Sequence, residues 1–232
     1  MGFFPLSYSK KDTPGIPLPV VEEILWIRMP LNALLVTGSF VGLPSATVKP
    51  EGLYGEILSE YLLTYQTLAE KLERLDRRIE ELAKDNAYEA SVKKLCCFLG
   101  VKTQTALATI VEVGDFKRFP SAERLASYIG LVPGEDSSGG DQNRLEITKA
   151  GNRHVRMLLV EAAQSFSRGQ VGYKSAALKQ RQSGNEPEVI AYADRANERL
   201  RRKYYKRSNV AKTAVARELS CFIWGMMTGN IA

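Results

Sequence analysis

Two serines and a group of cations raise the chemical question in this chain. Ser137-Ser138-Gly139-Gly140 is followed by Arg144, Lys149, Arg153 and Arg156. A serine hydroxyl that attacks phosphorus makes a covalent phosphoserine and conserves the phosphodiester energy, so a strand can be cut and rejoined without ATP. Such a nucleophile needs positive charge to neutralise the phosphate and its transition state. Neighbouring glycines let the backbone approach a ligand closely. Lys149, Arg153 and Arg156 crowd a helix N-terminus, where exposed cations cost about 0.3–1 kcal/mol each. Bound phosphate would relieve that repulsion. The competing reading of the same residues is a solvated, flexible loop.

Other chemistries have little support. Cys96, Cys97 and Cys221 lack Cys-x-x-Cys spacing, and His154 is the single histidine. A Cys/His zinc site is therefore nearly excluded, and the cysteines read as reduced, buried thiols. His154 reads as a surface or capping residue at a helix start. Glu135, Asp136 and Asp141 are candidate ligands for a divalent ion, although one acidic loop more often solvates itself. We expect no metal and no cofactor in this chain. No segment reads as a signal peptide or membrane span, which points to a soluble, cytoplasmic protein.

The elements that must hold these residues are helical. The 232 residues are 44% apolar and 25% charged, with a formal net charge of +6, a composition that permits a polyanionic partner without requiring one. Residues 1–55 form an irregular, proline-punctuated segment. Over 56–90, Leu58, Tyr61, Tyr65, Leu68, Leu72, Leu75, Ile79 and Leu82 make a heptad seam, the pattern of a coiled coil or long helix pair. It could serve dimerisation, domain spacing or packing onto later helices. Glu70–Arg74, Glu73–Arg77 and Arg77–Glu81 are expected i,i+4 pairs on its wet side.

Residues 91–232 read as a compact helical domain. Helices are expected over Ser91–Leu99, from Thr103 (its N-cap) to Val113, from Ser121 to Ile129, over Gly151–Ser167, Tyr173–Gln182 and Pro187–Tyr204, and over Asn209–Met227. Val132–Glu146 reads as a loop. The fold class is mainly α.

Two further stretches suit nucleic acid. Gly100, Lys102 and Thr103 lie at a helix–turn–helix junction that resembles a helix-hairpin-helix, where turn amides meet a phosphate. Arg199, Arg201, Arg202, Lys203, Lys206 and Arg207, interleaved with Tyr204 and Tyr205, suit backbone contact and base stacking. A solvated helix end is the alternative. Only Glu198 lies between Asp194 and Lys212 to compensate the run.

The segments Thr105–Phe116, Arg118–Ala122, Tyr128–Pro133, Ser137–Gly140, Ile147–Arg156 and Leu158–Ala163 together resemble the C-terminal domain of the IS-one-ten family of insertion-sequence transposases, which includes pilin-gene invertases. The resemblance covers about residues 57–228. It implies a DNA transposase whose serine links covalently to DNA, with Ser138, beside Gly139, the first candidate and Ser137 the second. Lys149, Asn152, Arg153 and Arg156 fall on the family's phosphate-side motif. DNA is the implied partner, a guide RNA a second one, and the 58–82 helix the route to a homo-oligomer. The family's N-terminal RNase-H-like domain, with its divalent metal, has no counterpart in residues 1–55. The chain therefore reads as a truncated or decayed copy, or as one with an incorrectly predicted start, and its independent activity is in question. The alternatives are a non-catalytic helix-hairpin-helix binder of DNA or RNA and a helical scaffold.

Overall fold

A computed structural model describes residues 53–138, 141–206 and 211–231, with side chains described for 56–134, 147–205 and 211–231. The expectations for residues 1–52, for Arg207 and for the side chains of Ser137, Ser138, Arg144 and Lys206 fall outside these sets. The described chain is mainly helical. Its order is α1 (Leu53–Ala83), α2 (Glu89–Leu95), α3 (Thr103–Val113), a 3-10 turn (Phe116–Arg118), α4 (Ala122–Ile129), β1 (Pro133–Ser138), β2 (Asp141–Ile147), α5 (Arg153–Gln164), a 3-10 turn (Ser165–Ser167), α6 (Ala176–Gln182), α7 (Pro187–Lys206) and α8 (Ala211–Thr228).

The core forms around α5 and α8. Val155, Leu158, Leu159, Ala162 and Ala163 of α5 are buried, as are Val215, Leu219, Ile223 and Met226 of α8. Their spacing of three and four puts each set on one helix face. Fully burying a side chain such as Leu159 or Leu219 contributes about 1.5–3 kcal/mol. Helices α4 and α7 pack against α8, and α3 packs against α5.

Only the end of the heptad seam is docked. Ile79 and Leu82 are buried, whereas Tyr61 is 67% and Tyr65 41% exposed. Leu68, Leu72 and Leu75 are intermediate. On the polar side Arg78 pairs with Glu81 at 2.8 Å, and Arg77 Nε donates to the Glu73 carbonyl rather than a carboxylate. Among the described residues no helix is long and apolar enough to cross a membrane.

Some boundaries differ from expectation. Helix α2 stops at Leu95, and Cys96–Leu99 form turns leading to Gly100. The N-cap of α3 is Lys102, in an extended conformation, and not Thr103. Helix α6 starts at Ala176 because the Ser175 hydroxyl accepts from the Leu178 N–H. The largest correction concerns Val132–Glu146, which is a β-hairpin and not a loop. Pro133 lies opposite Ile147, Glu135 opposite Arg144, Ser137 opposite Gln142 and Ser138 opposite Asp141. The missed signal was Gly139-Gly140 between two short runs, a sequence suited to a two-residue hairpin connection.

Candidate functional site

The hairpin is anchored where α4 ends and α5 begins. Gly130 closes α4 in the left-handed region, with φ +76°, a conformation glycine adopts without the Cβ penalty. The chain returning from β2 is stitched to that corner. Thr148 N–H donates to Val132 O at 2.9 Å, Lys149 N–H to Gly130 O at 3.3 Å and Asn152 N–H to Tyr128 O at 3.0 Å. Gly151 has φ +124°, and a Cβ there would stand 2.1 Å from Tyr128 O. Close backbone contact therefore fixes the base of the hairpin.

A polar cluster secures the start of α5. Asn152 is its N-cap, accepting from Val155 N–H at 2.9 Å, and its Nδ2 donates to Glu112 Oε2 at 2.8 Å. The other Glu112 oxygen is 2.6 Å from His154 Nδ1. His154 is only 2% exposed, which corrects the expectation of a surface or capping residue. Its spacing from Glu112 is 42 residues, too far for any local pattern to reveal the pair. Buried polar groups need such partners, and here they tie α3 to the first turn of α5.

The candidate cations at this end have different surroundings. Arg153 and Lys149 are exposed, and Lys149 has a left-handed φ of 54°. Arg156 is half-buried and donates from Nη1 to Ile129 O at 2.7 Å. It fastens α5 to the end of α4, as does Asn152 to α3. Both side chains do structural work at the position proposed for phosphate contact. Sequence reasoning missed Arg118, whose guanidinium stacks 4.5 Å from the Phe119 ring centre and 4.7 Å from that of Tyr128. An Arg-Phe pair ten residues before a tyrosine carries no recognisable local signal.

Ser137 and Ser138 lie at the far end of the hairpin. Five residue steps along β1 separate Pro133 from Ser138, about 17 Å at the usual strand rise. Lys149, Arg153 and Arg156 follow the base of β2. The expectation that folding surrounds the serines with these cations falls on side chains outside the described set. The paired ladder keeps the two ends of the strands apart along the hairpin. Arg144 is the one candidate cation whose backbone lies within the hairpin, opposite Glu135. Among the described residues, no three His, Cys, Asp or Glu form a metal-binding group. The side chains of Glu135, Asp136 and Asp141 lie outside the described set.

The other candidate interfaces are rearranged by tertiary contacts. A Cβ on Gly100 would meet Ala162 O at 2.3 Å, so this glycine is needed for packing the turn against α5. Lys102 is exposed and Thr103 half-buried. Arg201 is 6% exposed and donates to Gln170 O at 2.5 Å, Tyr173 O at 2.9 Å and Arg168 O at 3.0 Å. It is a buried clamp on the 168–173 loop, which corrects its placement on a nucleic-acid surface. Glu218 of α8 binds both Arg199 and Lys203, the latter at 2.5 Å, and Arg202 pairs with Glu198 at 2.5 Å. The run is better compensated than its own sequence suggests, because Glu218 comes from the next helix.

Residues 92–179 match the family model described as Transposase IS116/IS110/IS902 family. That interval begins in α2, ends in α6 and includes the whole hairpin and α5. The chain is 37% identical over 161 residues to a putative transposase, y4qE, of Sinorhizobium fredii, covering 66% of this chain and 40% of the relative. It is 29% identical over 164 residues to the transposase for insertion sequence element IS1328 of Yersinia enterocolitica, covering 71% and 43%. It is 41% identical over 69 residues to the transposase for insertion sequence element IS1111A of Coxiella burnetii, covering 30% and 19%. The chain spans about two-fifths of the length of the first and second of these relatives.

Proposed function

We propose, from a chain whose residues 92–179 carry a transposase domain of the IS116/IS110/IS902 family, that it binds DNA and bears the serine nucleophile of a DNA strand-transfer reaction. Ser138 is the proposed nucleophile and Ser137 the second candidate. Ser138 Oγ attacks phosphorus, an Oγ–P bond forms, and one P–O bond to deoxyribose breaks. The serine proton passes to solvent or a base, and the departing deoxyribose oxygen takes up a proton. A deoxyribose hydroxyl later reverses the step, releasing the serine and joining a strand.

The family match across the hairpin carries this reading. The length of the hairpin supports a division of labour between its two ends. A separation of about 17 Å corresponds to about five base pairs at 3.4 Å per step. Lys149 and Arg153 at the base therefore hold flanking phosphates, while the transition-state charge at Ser138 is neutralised by Arg144 and by groups outside the described residues. Exposed Arg153 at the start of α5 supports the positioning role, since helix amides and a cation there both favour an anion.

As partners we propose DNA, a structured RNA as a second nucleic acid, and a second copy of this chain. The last rests on the exposed part of the α1 seam, where Tyr61 and Tyr65 lie in the open. Light scattering should show Tyr65→Glu to be less associated than the parent chain, and an unchanged mass would remove that role. The reading as a non-catalytic helix-hairpin-helix binder is weakened by the packing of Gly100 against Ala162.

The decisive experiment uses the whole chain and a nicked suicide DNA that traps a covalent adduct. Ser138→Ala should lose the adduct while retaining DNA binding, and peptide mass spectrometry should find the link on Ser138. Equal adduct formation by parent and variant would refute the assignment, and no adduct from the parent would refute activity in this chain.

A further inference from the structure

The loop from Arg168 to Tyr173 is exposed and glycine-rich, yet it is held by more side-chain bonds than a simple connector needs. Gln170 O accepts from Tyr173 N–H at 3.1 Å, closing a tight turn with Gly172 at φ +81°. That pattern, with glycine third, is the signature of a type II turn. Beneath it the buried Arg201 guanidinium binds the carbonyls of Arg168, Gln170 and Tyr173. From the side, the Tyr205 hydroxyl donates to Ser167 O at 3.2 Å and Gly169 O at 2.7 Å.

What this framework displays is aromatic. Tyr173 is 63% exposed, Tyr205 55% and Val171 39%. Both tyrosines approach Gly169. A Cβ there would lie 3.8 Å from the Tyr173 ring and 3.5 Å from Arg201 Nη2, and Tyr205 binds the same residue's carbonyl. The charge beside them is positive. Arg168 is exposed at the edge of the loop, and the hydrogen bonds of Arg201 run to neutral carbonyls, which leave its charge in place. Arg202, on the same turn of α7 as Tyr205, adds a cation paired with Glu198.

We propose that Tyr173 and Tyr205 form a stacking platform for the bases of a single-stranded nucleic acid, with Arg168 taking an adjoining phosphate. Aromatic faces accept any base, and the cation supplies the complement to the strand's charge. Cations without exposed rings would serve a duplex backbone, and rings without cations would serve an apolar peptide. The combination favours an unpaired strand. Tyr173 lies within the matched interval and Tyr205 beyond it, and the platform faces a task distinct from bond cleavage. The proposal rests on the nucleic-acid reading above but not on the serine chemistry.

The test measures binding of fluorescein-labelled oligothymidine, oligouridine, an abasic strand of equal charge and a duplex to the whole chain. Tyr173→Ala should weaken oligothymidine or oligouridine binding about five- to 150-fold, and Tyr173→Phe should restore it because stacking needs the ring and not the hydroxyl. Tyr205→Phe, compared with Tyr205→Ala, separates loop anchoring from stacking. The salt dependence should stay unchanged in both tyrosine variants and flatten in Arg168→Ala. The stronger of the thymidine and uridine arms identifies DNA or RNA as the source. Equal binding of the abasic strand, preference for the duplex, or parent-like affinity of Tyr173→Ala would overturn the platform. Ser138→Ala should bind these strands normally, so loss of the covalent adduct alone would sink only the serine assignment.

Discussion

Replacing Arg201 by Met separates a structural arginine from a nucleic-acid contact. The change keeps much of the buried stem and removes a guanidinium that makes three bonds to loop carbonyls. A bond from a charged donor contributes about 1.5–3 kcal/mol. Three such values do not add here, because the carbonyls of an exposed loop regain water and the desolvation cost of the buried cation is recovered. Arg201 Nε, buried without a hydrogen-bond partner, lowers the net contribution further. The expected loss is about 2–3 kcal/mol, or about 30- to 150-fold in the opening equilibrium of the loop. Native-state hydrogen exchange at the Tyr173 amide, bonded to Gln170 O at 3.1 Å, reads that equilibrium directly. Urea unfolding reads any global share. Arg201→Lys should not rescue, since an ammonium cannot reproduce the planar fork that reaches several carbonyls at once. Unchanged Tyr173 protection and an unchanged urea midpoint, with weaker binding to nucleic acid alone, would refute the clamp and return Arg201 to the surface run.

Gly151→Ala should destabilise the chain by at least about 3 kcal/mol, because the added Cβ would stand 2.1 Å from Tyr128 O at φ +124°. The melting temperature should fall by about 6–12 °C, whereas Gly184→Ala, with φ +85° and nothing within 4 Å, should cost far less. Equal melting of the two would contradict the tight corner. Burial raises the Cys97 thiol from 9.0 to about 11, helped by the neighbouring Cys96 and Asp194. Its proton is held in both states at lower pH, so the stabilisation is complete there. Between pH 9 and about 11 the unfolded chain releases that proton first, and stability falls by up to roughly 3 kcal/mol. Urea midpoints across this window should decline less steeply for Cys97→Ala, and parallel slopes would count against the buried thiol.

Much of the helical framework was legible because it is written in local periodicity. The α5 positions Val155, Leu158, Leu159 and Ala162 and the α8 positions Leu219, Ile223 and Met226 recur every three or four residues and are buried. Pro187 opens α7 as its fixed φ allows, and Gly130 closes α4. The polar sites were less legible. Glu112 and His154 are far apart in sequence, and neither residue type nor spacing announces that they meet at 2.6 Å. The basic run looked uncompensated because Glu218 lies beyond it, and only the packing of α8 on α7 brings that carboxylate to Arg199 and Lys203.

By itself the sequence determined a mainly helical chain and pointed to transposase kinship, since amphipathic spacing and motif order are properties of neighbouring residues. Tertiary structure decided which of the described cations remain at the surface, which become clamps, and that Pro133–Ser138 pairs with Asp141–Ile147. The physical reason is that backbone pairing in the hairpin and burial of Arg201 depend on partners that chain folding brings together. Residue type alone leaves those partners open.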